Sequence, residues 1–341
     1  MPNETSQRIG PLKVRAEAEQ WPLVEPFRIT GHVFTTIDVL VVSLEKDGHT
    51  GRGEGDGVYY RGDTPAGMIR ELEPVIRTIE AGISIDDVQK LLPPGGARNA
   101  LDCALWDLQA KLGGRPVWEL AGLATPRPLL TTFTCGAEAP EKMVAVARAY
   151  RSKYGARAIK LKLTGEPLDA DRVRAVRAAL PDVWLGVDAN QGFTRESLDK
   201  LLPALVAAGV QLIEQPFPMG KEAWMEGLRL PIPAAADESA QTLADVPSLA
   251  GRFQIMNIKL DKCGGLTEGL AMARQARELG LECMVGNMVG SSLAMAPSFL
   301  VGQLCKVVDL DGPGFLKTDR ALPVRYADGM ITCPEALWGH P

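Results

Sequence analysis

From about residue 129 onward the hydrophobic pattern repeats one unit: a short apolar or β-branched run, a polar residue near its end, then a stretch with helical spacing. The runs are LLTTFT, IKLKL, WLGVDAN, QLIEQP, IPAAADES, IMNIKLDK, ECMVGNM and KVVDLDG. Their polar markers, Thr134, Lys160, Asp188, Glu214, Asp237, Lys259, Asn287 and Asp309, follow one another at 22 to 28 residues, which suits one strand plus one crossover helix. Between the runs, Leu201, Leu202, Leu205 and Val206 form one apolar face ahead of Gly209. Leu270, Ala273, Ala276 and Leu279 form another ahead of Gly280, and each glycine is placed as a helix stop. Eight such units predict an α/β fold with a parallel, TIM-like barrel, and an open doubly wound sheet is the alternative. The recurrence of a polar residue at the same end of each run favours the barrel, because barrel strands converge with their C-termini on one mouth.

The first 128 residues follow another pattern. PLVEPFRIT, VLVVSLEKDG and TGRGEG predict a small antiparallel sheet, followed by helices at about 65–80 and 97–112. In the second helix Leu101, Ala104, Leu105, Leu108 and Leu112 share a face, and Gly113-Gly114 ends it. The expectation is a separate α+β module over residues 1–128, its first ten or so residues flexible. The uncharged stretch from Cys283 to Cys305 imitates a membrane span, but Asn287, Pro297 and three glycines break it. It reads as a buried strand followed by a buried helix.

Composition then narrows the chemistry. Thirty-seven Lys+Arg against 42 Asp+Glu give a net charge of −5 with no basic run, so neither nucleic acid nor a membrane surface is an expected partner, and a small molecule is. Only His32, His49 and His340 exist, which leaves almost nothing for a Ser-His-Asp triad or a multi-histidine zinc site. Six cysteines without a Cys-x-x-Cys pair read as small buried hydrophobes in a reducing compartment. No apolar stretch follows a positive start at the N-terminus, so a cytoplasmic setting is expected.

Against that background the charged strand residues gain weight. Lys160 and Lys162 alternate with Ile159, Leu161 and Leu163, so both ammonium groups share one face of a strand. A solvated surface strand would explain the pair without function. Within a barrel lumen the two cations would depress each other's pKa, and a lysine lowered toward neutrality is a general base. Asp188, Glu214 and Asp237 come from three consecutive strand ends. Singly each could cap a helix. Together they form a hard oxygen site suited to Mg²⁺ and unsuited to zinc. Lys259, at the sixth strand, would face Lys162 across that site. A carboxylate held on Mg²⁺ could then pass through an enediolate while one lysine removes the α-proton and the other returns it.

Lys160-x-Lys162, Asp188, Glu214, Asp237 and Lys259, in this order, resemble the enolase superfamily, in its muconate-lactonizing-enzyme subgroup, and the resemblance covers nearly the whole chain. It implies a capping domain (1–128) over a modified (β/α)7β barrel (129–316), with residues 317–341 returning to the cap. It also implies Mg²⁺ on the three carboxylates, Lys162 and Lys259 as the acid/base pair, and Lys160 as an electrostatic partner. Assembly into a homo-oligomer fits it. Asp309-x-Asp311 resembles the Asp-x-Asp motif with which dipeptide epimerases hold the substrate's α-ammonium, and ARNALDCALWDLQAKL and NIKLDKCGGLTE are similar to L-Ala-D/L-Glu epimerases. From the residues alone, Asp309 and Asp311 could instead form a turn before Gly312-Pro313, and Thr134 is either a substrate contact or a strand-end hydroxyl.

The expected activity is thus epimerisation of a dipeptide at its C-terminal residue. N-succinylamino acid racemisation, o-succinylbenzoate synthesis and cycloisomerisation are alternatives on the same machinery, and a non-catalytic scaffold is a more distant one. In the loop PFRITGHVFTTID, where L-Ala-L-Glu enzymes supply an arginine, the only cations are Arg28 and His32, and Phe34 takes a candidate side-chain-pocket position. Glutamate specificity is not expected to follow automatically. The run Gly51–Gly57 is read as a mobile lid loop, with Tyr59, Tyr60 and Arg61 available to close over substrate.

Overall fold

A computed structural model describes residues 6–341. The N-terminal sheet is antiparallel in the order β1 (Lys13–Ile29), β2 (His32–Lys46), β3 (His49–Asp56). Ahead of it, Ile9 is buried and exchanges both backbone hydrogen bonds with Ile83. After it come α1 (Pro65–Leu72), α2 (Ile76–Ala81), α3 (Ile85–Leu91), α4 (Gly96–Gly113) and the short α5 (Val117–Leu120). Ser84 and Asp87 cap α3 reciprocally, a capping box that fixes its start.

One expectation is corrected here. Gly51–Asp56 is not a lid loop but the body of β3, with Gly51, Gly53 and Gly55 opposite Leu44, Val42 and Leu40. Its alternating glycines have a packing reason: a Cβ at 51, 53 or 55 would lie 2.3, 2.1 or 2.1 Å from the carbonyl oxygens of Ala104, Ala100 and Gly96. Helix α4 therefore lies directly on the bare face of the strand, and every residue from Gly96 to Ala110 is buried.

The barrel is an eight-stranded parallel sheet. After β4 (Leu129–Leu130), its strands are β5 (Phe133–Cys135), β6 (Ala158–Lys162), β7 (Trp184–Asp188), β8 (Leu212–Glu214), β9 (Ala234–Ala236), β10 (Ile255–Ile258), β11 (Glu282–Val285) and β12 (Val307–Val308), neighbours in that order. The Thr132 N–H donates to the Val308 carbonyl at 2.9 Å and joins the first strand region to the last. The run LLTTFT divides: Leu129–Leu130 pairs instead with β14 (Met330–Thr332), beside β13 (Arg325–Ala327), in a small antiparallel sheet.

The crossovers are α6 (Pro140–Tyr154), α7 (Asp169–Ala179), α8 (Arg195–Ala207), α9 (Val246–Leu249), α10 (Leu260–Cys263) with α11 (Leu266–Glu278), and α12 (Ser292–Gly302). A full helix in every crossover, as the spacing suggested, is not found. Between β8 and β9 there is only a 3₁₀ turn at Glu222–Met225, and α9 has four residues. Pro216, Pro218, Pro231 and Pro233 in the first segment, with Gly220 and Gly227 at positive φ, deny it helical hydrogen bonds. The uncharged stretch is indeed strand β11 and the wholly buried helix α12, and no helix among the described residues is long and apolar enough to cross a membrane.

The C-terminal segment stitches the barrel to the N-terminal sheet. Leu23 bridges to Leu316, the Lys317 N–H donates to the Pro22 carbonyl, and the Trp338 indole donates to the Arg52 carbonyl at 2.8 Å. At the other edge, the β1–β2 hairpin reaches over the barrel mouth, where the Thr30 hydroxyl bonds the carbonyls of Leu163 and Ala189 at 3.1 and 3.2 Å.

Candidate active site

Parallel register builds the site. Lys162 lies opposite Asp188 on the next strand, and Asp188 opposite Glu214 on the one after, so three charged residues stand in a row at the C-terminal rim. Asp237 follows directly on the end of β9, and Lys259 on the end of β10. Period-2 alternation turns Lys160 to the same interior as Lys162, and all five residues of β6 are buried. Parallel strands covered on both faces leave no solvent for these charges, so they must satisfy one another.

They do so as a cage. The Lys162 ammonium is 2.5 Å from Asp188 Oδ2; the Lys160 ammonium is 3.0 Å from Glu214 Oε2, 3.7 Å from Asp188 Oδ2, and in contact with Asp309 Oδ2. Lys259 pairs with Asp237 Oδ2 at 2.7 Å. Asp188, Glu214 and Asp237 each bring a carboxylate oxygen within 4.8 Å of the other two. That all-oxygen set, free of histidine and cysteine, fits a hard divalent cation. Two buried oxygens beside it, Asn190 Oδ1 and Glu238 Oε2, accept no hydrogen bond among the described residues, as expected where a hydrated cation would supply donors.

On the β12 side, Thr132 Oγ1 donates to Asp309 Oδ1 at 2.5 Å, Thr134 Oγ1 to the same oxygen at 3.4 Å, and the Thr134 N–H to Asp311 Oδ2 at 2.6 Å. Asp309 is thus largely engaged by Lys160 and two threonines, and Asp311 is the less committed of the pair. Nine of the ten candidate residues from the sequence converge in this cluster. Phe34 does not. It sits half-buried on the β1–β2 hairpin, in an aromatic group with His32 and Tyr59 at centroid separations of 4.2 and 5.5 Å.

The electrostatics correct a second expectation. Mutual repulsion does not leave Lys160 below its ordinary pKa. Burial alone would lower it, but Asp309, Glu214 and Asp188 outweigh burial and hold it well above the usual lysine range. Lys259 is raised likewise, burial being outweighed by Asp237 and Glu214. The carboxylates diverge. Burial and the neighbouring Asp188 push Glu214 up to about 8, whereas in Asp237 burial is overcome by Lys259 and Lys262 and the pKa falls. Asp311 is pushed up to about 7 by burial and by Asp309.

Sequence reading missed four participants. Lys262, buried, donates to Asp237 Oδ1 at 2.5 Å and to its carbonyl, and it is the lysine whose pKa falls, through burial. Asn257 donates to Glu214 Oε1 at 2.6 Å, and Asn190 donates to Glu238 at 3.3 Å. Asn257 had a signal, since it shares the strand face of Lys259 two residues on. Lys262, one helical turn beyond Lys259, and Glu238, beside Asp237, lay outside the alternation that exposed the others.

The profile for the N-terminal domain of mandelate racemase/muconate lactonizing enzymes matches residues 12–122, and that for enolase C-terminal domain-like proteins matches residues 142–337. The chain belongs to the enolase superfamily. Within the superfamily it is 37% identical over 318 residues to the L-Ala-D/L-Glu epimerase of Escherichia coli strain K12, covering 93% of this chain and 98% of that one. It is 40% identical over 264 residues to the N-acetyl-D-glutamate racemase of a Pseudoalteromonas species, covering 77% and 82%. Among solved structures, the Methylococcus capsulatus dipeptide epimerase complexed with Mg and L-Arg-D-Lys superposes with a TM-score of 0.88 at 32% identity, covering 94% and 96%. This enolase-superfamily chain therefore carries its acidic triad and lysines in the setting of racemases and epimerases.

Proposed function

We propose that the protein is a Mg²⁺-dependent dipeptide epimerase, an isomerase that inverts the α-carbon of the C-terminal residue by proton transfer between Lys162 and Lys259. The observation that carries this reading is the disposition of those lysines, four strands apart in an eight-stranded barrel and flanking one carboxylate triad, with Asp311 alongside. Relatives along nearly the full chain support it.

Asp188, Glu214 and Asp237 would hold the metal. When bound, Mg²⁺ supplies positive charge beside the substrate carboxylate and so makes the α-proton acidic enough for an amine base. With the carboxylate charge thus shared, Lys162 and Lys259 would no longer be held in full ion pairs with Asp188 and Asp237, and one of them could act as a base. Lys162 as free amine breaks the Cα–H bond from one face and becomes an ammonium. The carbanion equivalent, an enediolate, then takes a proton from the Lys259 ammonium on the opposite face. Starting from the other epimer, the two exchange roles. Lys160, bridging Glu214 and Asp309, supplies fixed positive charge toward the enediolate and toward the carboxylates that orient it. Asp311, with Asp309, receives the substrate ammonium, Thr134 positions both acids, and Phe34 approaches from the cap.

In this reading residues 1–128 close over the barrel of residues 129–316, and 317–341 tie the two. The setting is cytoplasmic turnover of small dipeptides such as those from peptidoglycan, in keeping with six free thiols. A second reading, racemisation of an N-acylamino acid, is favoured by the Pseudoalteromonas relative, and the paired acids at 309 and 311 speak against it because such a substrate offers no cation. Chiral chromatography of L-Ala-L-Xaa dipeptides incubated with protein and Mg²⁺ tests the proposal: L-Ala-D-Xaa should accumulate toward equilibrium, and its absence from every dipeptide contradicts it.

A further inference from the structure

The barrel-facing side of the β1–β2 hairpin carries no permanent cation, and we infer from this that the epimerised residue of the substrate has a large apolar or aromatic side chain, not an anionic one. The inference rests on the dipeptide epimerase reading above and adds its selectivity. In the hairpin, Phe27 lies opposite Phe34, Arg28 opposite Val33, and Ile29 opposite His32. Residues directly opposite in an antiparallel pair point to the same face, and successive residues to alternate faces. One face is therefore Phe27, Ile29, His32 and Phe34; the other is Arg28 and Val33.

Burial tells which face is inward. Phe27 and Ile29 are buried and Phe34 is half-buried, with His32 exposed at the hairpin tip, whereas Val33 is 41% exposed and the Arg28 side chain 52% exposed. Arg28 turns to a cleft against α6 that Lys142 and Tyr150 also line, and its guanidinium is 3.7 Å from Glu138, which Lys142 also approaches at 3.2 Å. The cation that a glutamate side chain would need is thus on the other face, where it shares Glu138 with Lys142. On the inward face, Phe34 lies 5.5 Å from Tyr59 between ring centroids and Tyr59 in turn 5.1 Å from Tyr60, and His32 packs on both Phe34 and Tyr59. This aromatic band ends beside the reacting groups: the Tyr60 hydroxyl accepts from Gln241 Nε2 at 2.8 Å, and that amide also donates to the Glu238 carbonyl next to Asp237. Arg61, at the rim, is engaged by Gln241. A carboxylate side chain entering here would be desolvated against the Phe34 and Tyr59 rings, with the one permanent cation, Arg61, out at the rim beyond Tyr60, while an apolar side chain gains from the same burial.

The test compares kcat/KM of the Mg²⁺-loaded protein for L-Ala-L-Phe, L-Ala-L-Leu, L-Ala-L-Glu and L-Ala-L-Lys. The Phe and Leu dipeptides should exceed the Glu and Lys dipeptides by roughly tenfold or more. Phe34→Arg should move the ratio toward Glu, and Arg28→Ala should leave it where it was. A preference for Glu that Arg28→Ala abolishes, or a preference for Lys, overturns the inference while leaving the epimerase reading intact. Turnover of none of the four, nor of any other dipeptide, removes both.

Discussion

Lys162 and Lys259 stand four strands apart in one barrel yet never share a carboxylate, Lys162 pairing with Asp188 at 2.5 Å and Lys259 with Asp237 at 2.7 Å. Asp188 and Asp237, the outer ligands of the candidate cation site, thus each hold one of these two lysines, which would make them equivalent in kind under the proposed mechanism. Replacing either lysine by alanine should lower epimerisation kcat by about 10²–10⁴-fold. The two variants should differ in a telling way: each should retain slow α-proton exchange from the epimer whose proton faces the remaining lysine. Deuterium exchange measured separately on L,L and L,D substrates checks this, and full epimerase activity in either variant contradicts it.

Asp311 gives the pH profile a definite sign. Burial and Asp309 hold its carboxyl near 7, so below that pH it is neutral and above it an anion able to receive an ammonium group. The kcat/KM for a free dipeptide should therefore rise as pH increases through about 7. In Asp311→Asn that limb should disappear and KM should rise, while an N-acetylated dipeptide should be little affected. An unchanged profile in Asp311→Asn argues for the N-acyl reading.

Metal removal should act on stability as well as on activity. Asp188, Glu214 and Asp237 are wholly buried, and a cation bound only to the folded state stabilises it by about 2.7 kcal/mol at a hundredfold excess over Kd. Adding Mg²⁺ to chelator-treated protein should raise the melting temperature by several degrees. In Glu214→Gln both that shift and the calorimetric binding signal should vanish, and a shift that persists there would place the metal elsewhere.

Much of this site was legible because it rests on two simple periods. Strand alternation put Lys160 and Lys162 on one face, and the 22–28-residue spacing brought Asp188, Glu214 and Asp237 to neighbouring strand ends, which the register of β6 through β9 realises, with Asp237 just beyond β9. What could not be read were properties of packing. The glycines of β3 look like a loop until α4 is laid across them. Lysine acidity in Lys160 depends on Asp309, 149 residues away, which no local pattern reports. The face to which Arg28 points follows from the bulge between Pro22 and Phe27, and four residues facing one across a ladder leave no trace in composition.

The packing claim for β3 is itself testable. Gly53→Ala places a methyl 2.1 Å from the Ala100 carbonyl oxygen, between two backbones that cannot move independently. It should destabilise the fold by about 1–3 kcal/mol or more, read as a lowered denaturation midpoint with an unchanged slope. Gly48→Ala, at a hairpin turn with open space around it, should be milder, its penalty coming from the positive φ alone.

The most direct test of the whole account is α-deuteration. The protein, Mg²⁺ and a library of L,L-dipeptides in D₂O should give mass-spectrometric incorporation of one deuterium, confined to the α-carbon of the C-terminal residue, with the L,D epimer appearing alongside. Deuterium at neither residue of any dipeptide, with Mg²⁺ binding confirmed by calorimetry, would contradict proton transfer between Lys162 and Lys259 on a dipeptide and leave only the fold and the metal site.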